Sequence, residues 1–520
     1  MDRSFNRRPA TQTQRQTDIQ NFGNARPVPK VLLTRPLARP LVRPVPPRPP
    51  IDMELPGAPS RWNVNTALGR NKWRRTRRAA ARSLALSLVL LITFGGLLFS
   101  QGYLKLHRVF RGGSASAAAL QPNVAPQLLK GEGSGRVNIL LLGRGGGNHD
   151  GPDLTDTMML ASVDPVNHTT TLLSLPRDLW VNVPGHGDMK INAAWETGEF
   201  SYLGKIAPGS TNPKAIQAGF NLADQTVSSV LGINIDYNVI VDFQAFQQAV
   251  DTVGGVNVNV PTDLVDPTMA WENGNNPVLA KAGPQQFDGA QALLYVRSRE
   301  TTSDFARAAR QRAVLVALMS KVDTLGTLSN PLKLSGLLTE FGNNVSTDLS
   351  LSDADRLYTI LKNVDEANVS SISLDDTPAA YVTTGTIDGQ SVVLPKAGLF
   401  QYNDIQSYVR GQLKDPYIIK ENATVLVLNG TAVPGLATTT AAQLKEYGYN
   451  VIGAANTPSP DWTQTTLVDL SGGQDKYTKN YLEERFAVSA INHLSDTRIN
   501  TNGADFVIII GNDEASATKN

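Results

Sequence analysis

The feature that most constrains this 520-residue chain is an uncharged run near its start, Ser83-Leu-Ala-Leu-Ser-Leu-Val-Leu-Leu-Ile-Thr-Phe-Gly-Gly-Leu-Leu-Phe-Ser-Gln-Gly-Tyr103. A bilayer core asks for about 20 such residues in one helix. Arg74, Arg75, Arg77, Arg78 and Arg82 sit on the N-terminal side of the run, which places the preceding tail in the cytoplasm and everything after it outside. A buried core helix is the bland alternative, and an unbroken apolar run beside a polar basic tail argues against it. A cleaved signal peptide is the other, because Ala115-Ser116-Ala117 resembles a small-residue cleavage site. That site lies well beyond the run, and the tail is far longer than a usual n-region. The sequence therefore predicts one transmembrane signal anchor over 83–103.

The flanks follow from composition. Residues 1–82 are rich in Pro, Arg, Gln and Asn, with too little apolar material to offset chain entropy, and read as a disordered cytoplasmic tail. Residues 104–135 read as a linker, with a Gly/Ser/Ala/Gln/Pro spacer over 111–135. The net charge of +2 argues against a bulk nucleic-acid binder. The absence of cysteine excludes disulfides, thiolate metal sites and thiol catalysis.

From Arg136 onward the pattern is that of an α/β fold. A short apolar run at 137–142 that ends in glycines predicts a buried strand, and 157–163, 169–175, 237–241 and 256–260 read as further strands. Helical spacing appears over 214–231, 244–252, 290–295 and 305–325, with more helix over 326–361. Strands mixed with helices indicate a layered α/β domain, bounded at 136–413. A second, small α/β domain is bounded at 421–513, with strands at 423–428, 450–452 and 505–510 and helices at 436–447 and 477–486. It carries no cluster of ionisable residues that suggests catalysis.

Chemistry concentrates between Tyr295 and Gln311. Arg297 and Arg299 are two apart, so an extended backbone points them the same way. Asp304, Arg307 and Gln311 share one face of a helix. Guanidinium forks match phosphate oxygens and remain charged at physiological pH, so this surface reads as a phosphate clamp. Arg310 lies off that face and either joins the clamp or is a surface charge. The glycines at 145–147 are not a nucleotide-binding loop, because no Gly-Lys-Ser/Thr follows, and they read as a flexible loop. Asp288-Gly289 reads as a helix start, and Asp178 as a brace for Arg177. His149 reads as a solvated loop residue, and no Ser-His-Asp or metal-histidine spacing is present.

Several segments, in order, resemble the LytR-CpsA-Psr family: Asn138-Ile-Leu-Leu-Leu-Gly143, Leu154-Thr-Asp156-Thr-Met-Met-Leu160, Ser174-Leu-Pro-Arg177-Asp178, Lys190-Ile-Asn-Ala-Ala194, Val250-Asp-Thr-Val-Gly-Gly-Val256, Phe287-Asp-Gly-Ala-Gln-Ala-Leu293, and Tyr295 through Gln311. The part from Val425-Leu-Val-Leu-Asn-Gly-Thr431 to the end resembles the LytR C-terminal domain. The resemblance implies an α/β/α sandwich with a mixed central sheet and a hydrophobic groove. It implies a membrane-anchored enzyme, N-terminus cytoplasmic and both domains extracytoplasmic. Such an enzyme transfers a glycopolymer from a polyprenyl-pyrophosphate carrier to peptidoglycan, with Mg²⁺ assisting.

Carried over by position, Arg177, Arg297, Arg299 and Arg307 are expected to hold the pyrophosphate, with Lys190 and Gln311 as further substrate contacts and Asp156 as a metal ligand. Asp304 either orients an arginine or accepts the proton of the attacking hydroxyl. The chain departs from the family pattern at Gly145, where an aspartate is usual, and at Leu154, where an arginine is usual. Asp150 or Asp153 is expected to replace the lost ligand and Arg144 the lost charge; the alternative is a weakened or absent metal site. Apolar side chains on helices between Ala215 and Val250 are expected to line the lipid groove. Two other functions stay open at this point: a non-catalytic, membrane-tethered binder or regulator of wall precursors, and an exported polyprenyl pyrophosphatase.

Overall fold

The computed structural model describes residues 109–112, 116–147, 151–205, 210–298, 304–324, 344–364, 366–375 and 380–517. The N-terminal tail, the run 83–103, Asp150, His149 and Arg299 lie outside the described residues, as does the side chain of Asp304. Among the described residues no helix is long and apolar enough to cross a membrane.

The central sheet of the first domain has six strands: β1 (Val137–Arg144), β2 (Thr157–Asp164), β3 (Thr169–Leu175), β4 (Tyr237–Asp242), β5 (Val345–Thr347) and β6 (Val369–Ser373). Their spatial order is β5-β4-β1-β2-β3-β6. β1 pairs antiparallel with β2 and parallel with β4, β3 pairs parallel with β6, and the sheet is mixed. The continuous apolar runs that predicted β1 to β3 are those of strands covered on both faces.

Alternation along β1 sorts those faces. Leu140 and Leu142 pack with Phe220, Ala223 and Val227 of α2 (Pro213–Leu231), below which Trp195 of α1 (Ala194–Leu203) is fully buried. Val137 and Ile139 point the other way, where Leu357 and Ile360 of α6 (Leu351–Leu361) and Leu315 of α5 (Asp304–Thr324) cover the sheet. The result is helix, sheet, helix. Two further helices, α3 (Phe243–Thr252) and α4 (Gly289–Arg297), sit with the ribbon of Val256–Val260 and Gly283–Phe287 around a third apolar cluster. Asp288 starts α4 through a capping box with Gln291, the role its sequence position predicts.

The second domain is a four-stranded sheet in the order β8-β7-β10-β9, with β7 (Thr424–Asn429), β8 (Asn450–Asn456), β9 (Thr466–Asp469) and β10 (Phe506–Ile510). Its core also takes in residues that read as spacer. Val124 and Leu129 are buried among Tyr417, Tyr481 and Phe486. Asp415 accepts bonds from Gly133 and Gly135 N–H at 3.0 Å each. The stretch 118–135 is thus a packed strap rather than an open linker, because two well-spaced apolar residues find a core that composition alone does not reveal.

Candidate functional site

One end of the central sheet gathers the predicted clamp. Because β1 and β2 run antiparallel with Gly143 opposite Thr157, and β2 and β3 with Met158 opposite Leu175, the end of β1, the start of β2 and the end of β3 share an edge. Asp156 precedes β2 and Arg177 follows β3 at that edge. The C-terminal residue of α4, Arg297, and the first turns of α5, with Arg307 and Gln311, close over it. Asp156, Arg177, Arg297, Arg307 and Gln311 line one polar cavity of about 210 Å³. Residues from four separate stretches of sequence therefore converge.

Their partners are carboxylates. Arg177 Nη1 donates to Asp156 Oδ1 at 2.8 Å, and Arg177 Nε lies 3.2 Å from Asp178 Oδ2. Asp178 also holds Lys190 Nζ, at 2.8 Å, so it braces two cations rather than one. Asn192 adds a bond from Nδ2 to Asp156 Oδ1 at 3.2 Å. Arg297 meets Glu272 with both terminal nitrogens, at 2.6 and 3.1 Å, and stacks on Phe243 at 4.9 Å. Gln311 Nε2 donates to Thr157 Oγ1 at 2.8 Å. Arg307 is buried at the cavity wall, 7% exposed, on the helical face that its spacing with Gln311 predicts.

A second, apolar cavity of about 370 Å³ shares Thr157, Phe243, Val296, Arg297 and Gln311 with the polar one. It runs between the sheet and α3, α4 and α5, lined by Leu141, Val239, Phe246, Ala249, Leu293 and Leu315, among others. Of the helices expected to line it, α3 does so. α2 does not, since it packs on the opposite face of the sheet. A greasy chamber that opens beside cationic forks suits an amphiphile with an anionic head.

Three expected contacts have other partners. Arg310 is neither exposed nor in the polar cavity: Nε donates to the Tyr295 carbonyl at 2.9 Å and Nη2 to that of Ser298, so it ties α5 to the end of α4. Burial lowers its pKa, with Tyr295 acting in the opposite sense and Arg307 adding to the shift. Arg144 and Asp153 form an ion pair at 2.7 Å with side chains 6% and 2% exposed, and Arg144 stacks on Trp195 at 5.1 Å. Asp153 is thereby engaged by a guanidinium instead of facing the cavity. The glycine run is a tight turn rather than a flexible loop: Gly146 adopts φ +66°, and a Cβ there would meet Asp242 at 2.8 Å.

Residues not expected from sequence complete the site. Glu272 lies on the short 3-10 helix Pro267–Asn273, where no motif singles it out. Asp266 is fully buried and accepts from Ser298 Oγ at 2.7 Å, and Arg312 donates to Ser174 Oγ at 3.0 Å. Only the positive charge of Arg312 beside Gln311 was a signal that sequence offered.

Asp156 carries the chemistry that bears on a metal. Its Oδ1 is taken by Arg177 and Asn192, while Oδ2 accepts no bond from the described residues. Among the described residues no group of three or more His, Cys, Asp or Glu side chains could hold a metal ion by itself. One open carboxylate oxygen beside a phosphate-sized polar cavity fits a hard cation shared with substrate oxygens, as Mg²⁺ is usually held.

The chain is similar to several known proteins. A curated protein of Oceanobacillus iheyensis, named polyisoprenyl-teichoic acid–peptidoglycan teichoic acid transferase TagU, is 36% identical over 245 residues, 46% of this chain and 67% of the relative. The Bacillus subtilis transferase TagT is 28% identical over 319 residues, 60% of this chain and 92% of the relative. A solved structure titled "TagT bound to LIIa-WTA" superposes with a TM-score of 0.42 at 27% identity, over 59% of this chain and 98% of that one. Residues 422–513 match the family described as LytR cell envelope-related transcriptional attenuator. Residues 105–402 match the LytR_cpsA_psr family, and the chain belongs to that family.

Proposed function

We propose that this protein is a membrane-anchored phosphotransferase that moves a glycopolymer from a polyprenyl-diphosphate carrier to cell-wall peptidoglycan. The observation that carries this reading is the continuity of the apolar cavity with the polar one across Thr157, Arg297 and Gln311. The prenyl chain occupies the first and the diphosphate the second. The transferase activity named for the Oceanobacillus and Bacillus relatives supports it.

The acceptor hydroxyl oxygen forms a bond to the phosphorus that bears the glycopolymer. The bond from that phosphorus to the bridging oxygen breaks, and polyprenyl monophosphate leaves. Charge builds on the bridging oxygen, where positioned guanidinium groups stabilise it without covalent help. Arg177 and Arg307 are the residues we assign to that task, with Lys190 and Gln311 orienting the remaining oxygens. Asp304 heads α5 beside the cavity and either takes the hydroxyl proton or orients Arg307. Asp156 would hold Mg²⁺, which when bound would supply further neutralisation of the diphosphate charge. The run 83–103 anchors the chain with both domains outside the membrane, where carrier and wall meet.

The test uses the full-length protein in detergent with a polyprenyl-diphosphate-linked donor and peptidoglycan fragments, and reads polyprenyl monophosphate released. Turnover that depends on Mg²⁺ and falls about 100-fold or more in Arg177→Ala and Arg307→Ala is expected, the range for removal of one preorganised charge donor. Donor binding without any turnover would defeat the transferase reading. Release in the absence of acceptor, unaltered by adding it, would make water the acceptor instead.

A further inference from the structure

Two arginines of the clamp already hold carboxylates before any substrate arrives. Arg177 pairs with Asp156, which lines the polar cavity beside it, and with Asp178. Arg297 is different. Both of its terminal nitrogens are held by the two oxygens of Glu272, at 2.6 and 3.1 Å, and Glu272 makes no other polar contact among the described residues. Arg297 lines both cavities, whereas Glu272 lines neither. The guanidinium plane is fixed from its other side by the Phe243 ring. The bidentate edge that would grip a phosphate is therefore already occupied by a carboxylate.

We infer that Glu272 is an internal competitor that fills the phosphate fork of Arg297 in the free protein and is displaced from it by a diphosphate. This rests on the diphosphate reading given above. A carboxylate and a phosphate compete for the same planar fork, because both present two oxygens at matching separation. A monoanionic or weakly charged ligand gains too little from Arg297 to displace a pair already in bidentate register. A diphosphate, held at the same time by Arg177 and Arg307, gains enough. Glu272 is placed to act this way because it sits on the short helix Pro267–Asn273, which is tied down at its start: Asp266 caps Thr268 N–H at 3.0 Å and accepts from Ser298 Oγ. The carboxylate has a fixed base and a side chain that is about one quarter exposed, 23%, so it can swing into solvent when displaced.

A purely supportive role for Glu272 makes the opposite forecast. If it only steadied Arg297, its loss would loosen the clamp and weaken every phosphate ligand.

The experiment measures binding of inorganic diphosphate and inorganic monophosphate to the full-length protein in detergent by calorimetry, for wild type, Glu272→Gln and Glu272→Asp. Glu272→Gln is close in shape and keeps one acceptor for Arg297, and a thermal melt confirms that each variant is folded. Diphosphate is expected to bind Glu272→Gln roughly 10-fold tighter, the order set by loss of one competing charged hydrogen bond. Monophosphate, which leaves the pair in place in wild type, should gain no more than diphosphate, and a larger gain for monophosphate overturns the inference. Glu272→Asp, which keeps the charge, should stay near wild type in both. Equal or weaker diphosphate binding by Glu272→Gln overturns the role given to Glu272 and leaves the clamp itself standing. No binding of diphosphate to wild type or either variant overturns the diphosphate reading, and this inference with it.

Discussion

Arg144 and Asp153 face each other at 2.7 Å at the end of β1, both almost wholly buried, with the guanidinium stacked on Trp195. This pair occupies the place where the chain departs from its family at Gly145 and Leu154. Taking one partner away leaves the other charge stranded in a low-dielectric site, at a cost of about 3–5 kcal/mol. Arg144→Ala and Asp153→Ala are each expected to lower the denaturant midpoint sharply. The double change to apolar residues of similar size should recover most of the loss. If Asp153→Ala instead left stability unchanged and raised the Mg²⁺ needed for half-maximal turnover, Asp153 would be a metal ligand after all.

Asp156 Oδ2 accepts no bond from the described residues. Asp156→Asn retains an acceptor for Arg177 and removes the charge a hard cation needs. Turnover should fall, and the Mg²⁺ concentration for half-maximal rate should rise about 10-fold or more. Titration of Mg²⁺ at saturating donor reads this directly. An unchanged Mg²⁺ dependence would remove Asp156 from the metal site.

Ala249 of α3 lines the apolar cavity and offers a place to shorten it. Ala249→Trp fills space next to Phe246 without touching the polar cavity. A short-chain prenyl diphosphate should still be used at close to the wild-type rate. A long-chain donor should lose about 10-fold or more in kcat/KM, the scale of a few lost methylene contacts at about 0.8 kcal/mol each. Parallel losses for both donors would place the lipid elsewhere.

The strap before β1 yields a prediction about the second domain. Leu129 is fully buried in that domain's core, and Asn480 Nδ2 donates to its carbonyl at 3.2 Å. Leu129→Ala should destabilise the protein by about 2–5 kcal/mol. Hydrogen exchange should rise in β7, β8 and β10 while the first domain's central strands keep their protection. Protection lost uniformly would show that the two domains unfold as one.

Much of this architecture is written in local pattern, and the rest is not, for identifiable reasons. β1, β2, β3 and β4 announce themselves because strands covered on both faces are continuous apolar runs. α2 and α3 do so through helical spacing and their asparagine and aspartate caps. β5 and β6 are three and five residues long and largely polar, so they carry no such signal, and only their neighbours in the sheet make them strands. In the site, Arg307 and Gln311 were legible as one helical face. Arg297 lines the cavity, but it ends a helix rather than lying in the extended segment its spacing from Arg299 suggests. Its partner Glu272 was not legible, because an ion pair across 25 residues leaves no periodic trace. Arg310 shows the limit from the other side: its spacing from Arg307 revealed that it faces elsewhere, but not that two backbone carbonyls would bury it.

Asp224 on α2 contributes to the pH dependence of stability in the first domain, alongside Glu199 and Asp236. Burial is the main cause that raises its pKa to about 7, with Asp348 and Asp236 adding to it and a bond from Asn238 Nδ2 at 2.9 Å opposing it. Its Oδ1 is buried without a hydrogen-bond partner among the described residues. Below about pH 4 both folded and unfolded chains hold this proton. Between there and about pH 7 the folded protein keeps it and the unfolded chain releases it, so stability falls as pH rises across that window and levels off above it. Asp224→Asn still accepts from Asn238 and removes the titration. Its melting temperature should match wild type near pH 4 and exceed it increasingly towards pH 8. The gain there should be on the order of 2 kcal/mol once solvent screening is allowed for. The slope contributed by Asp236, whose pKa is raised to about 6 by burial, should persist in the variant. A gain that is the same at pH 4 and pH 8 would mean that packing, and not the proton, limits stability at this position.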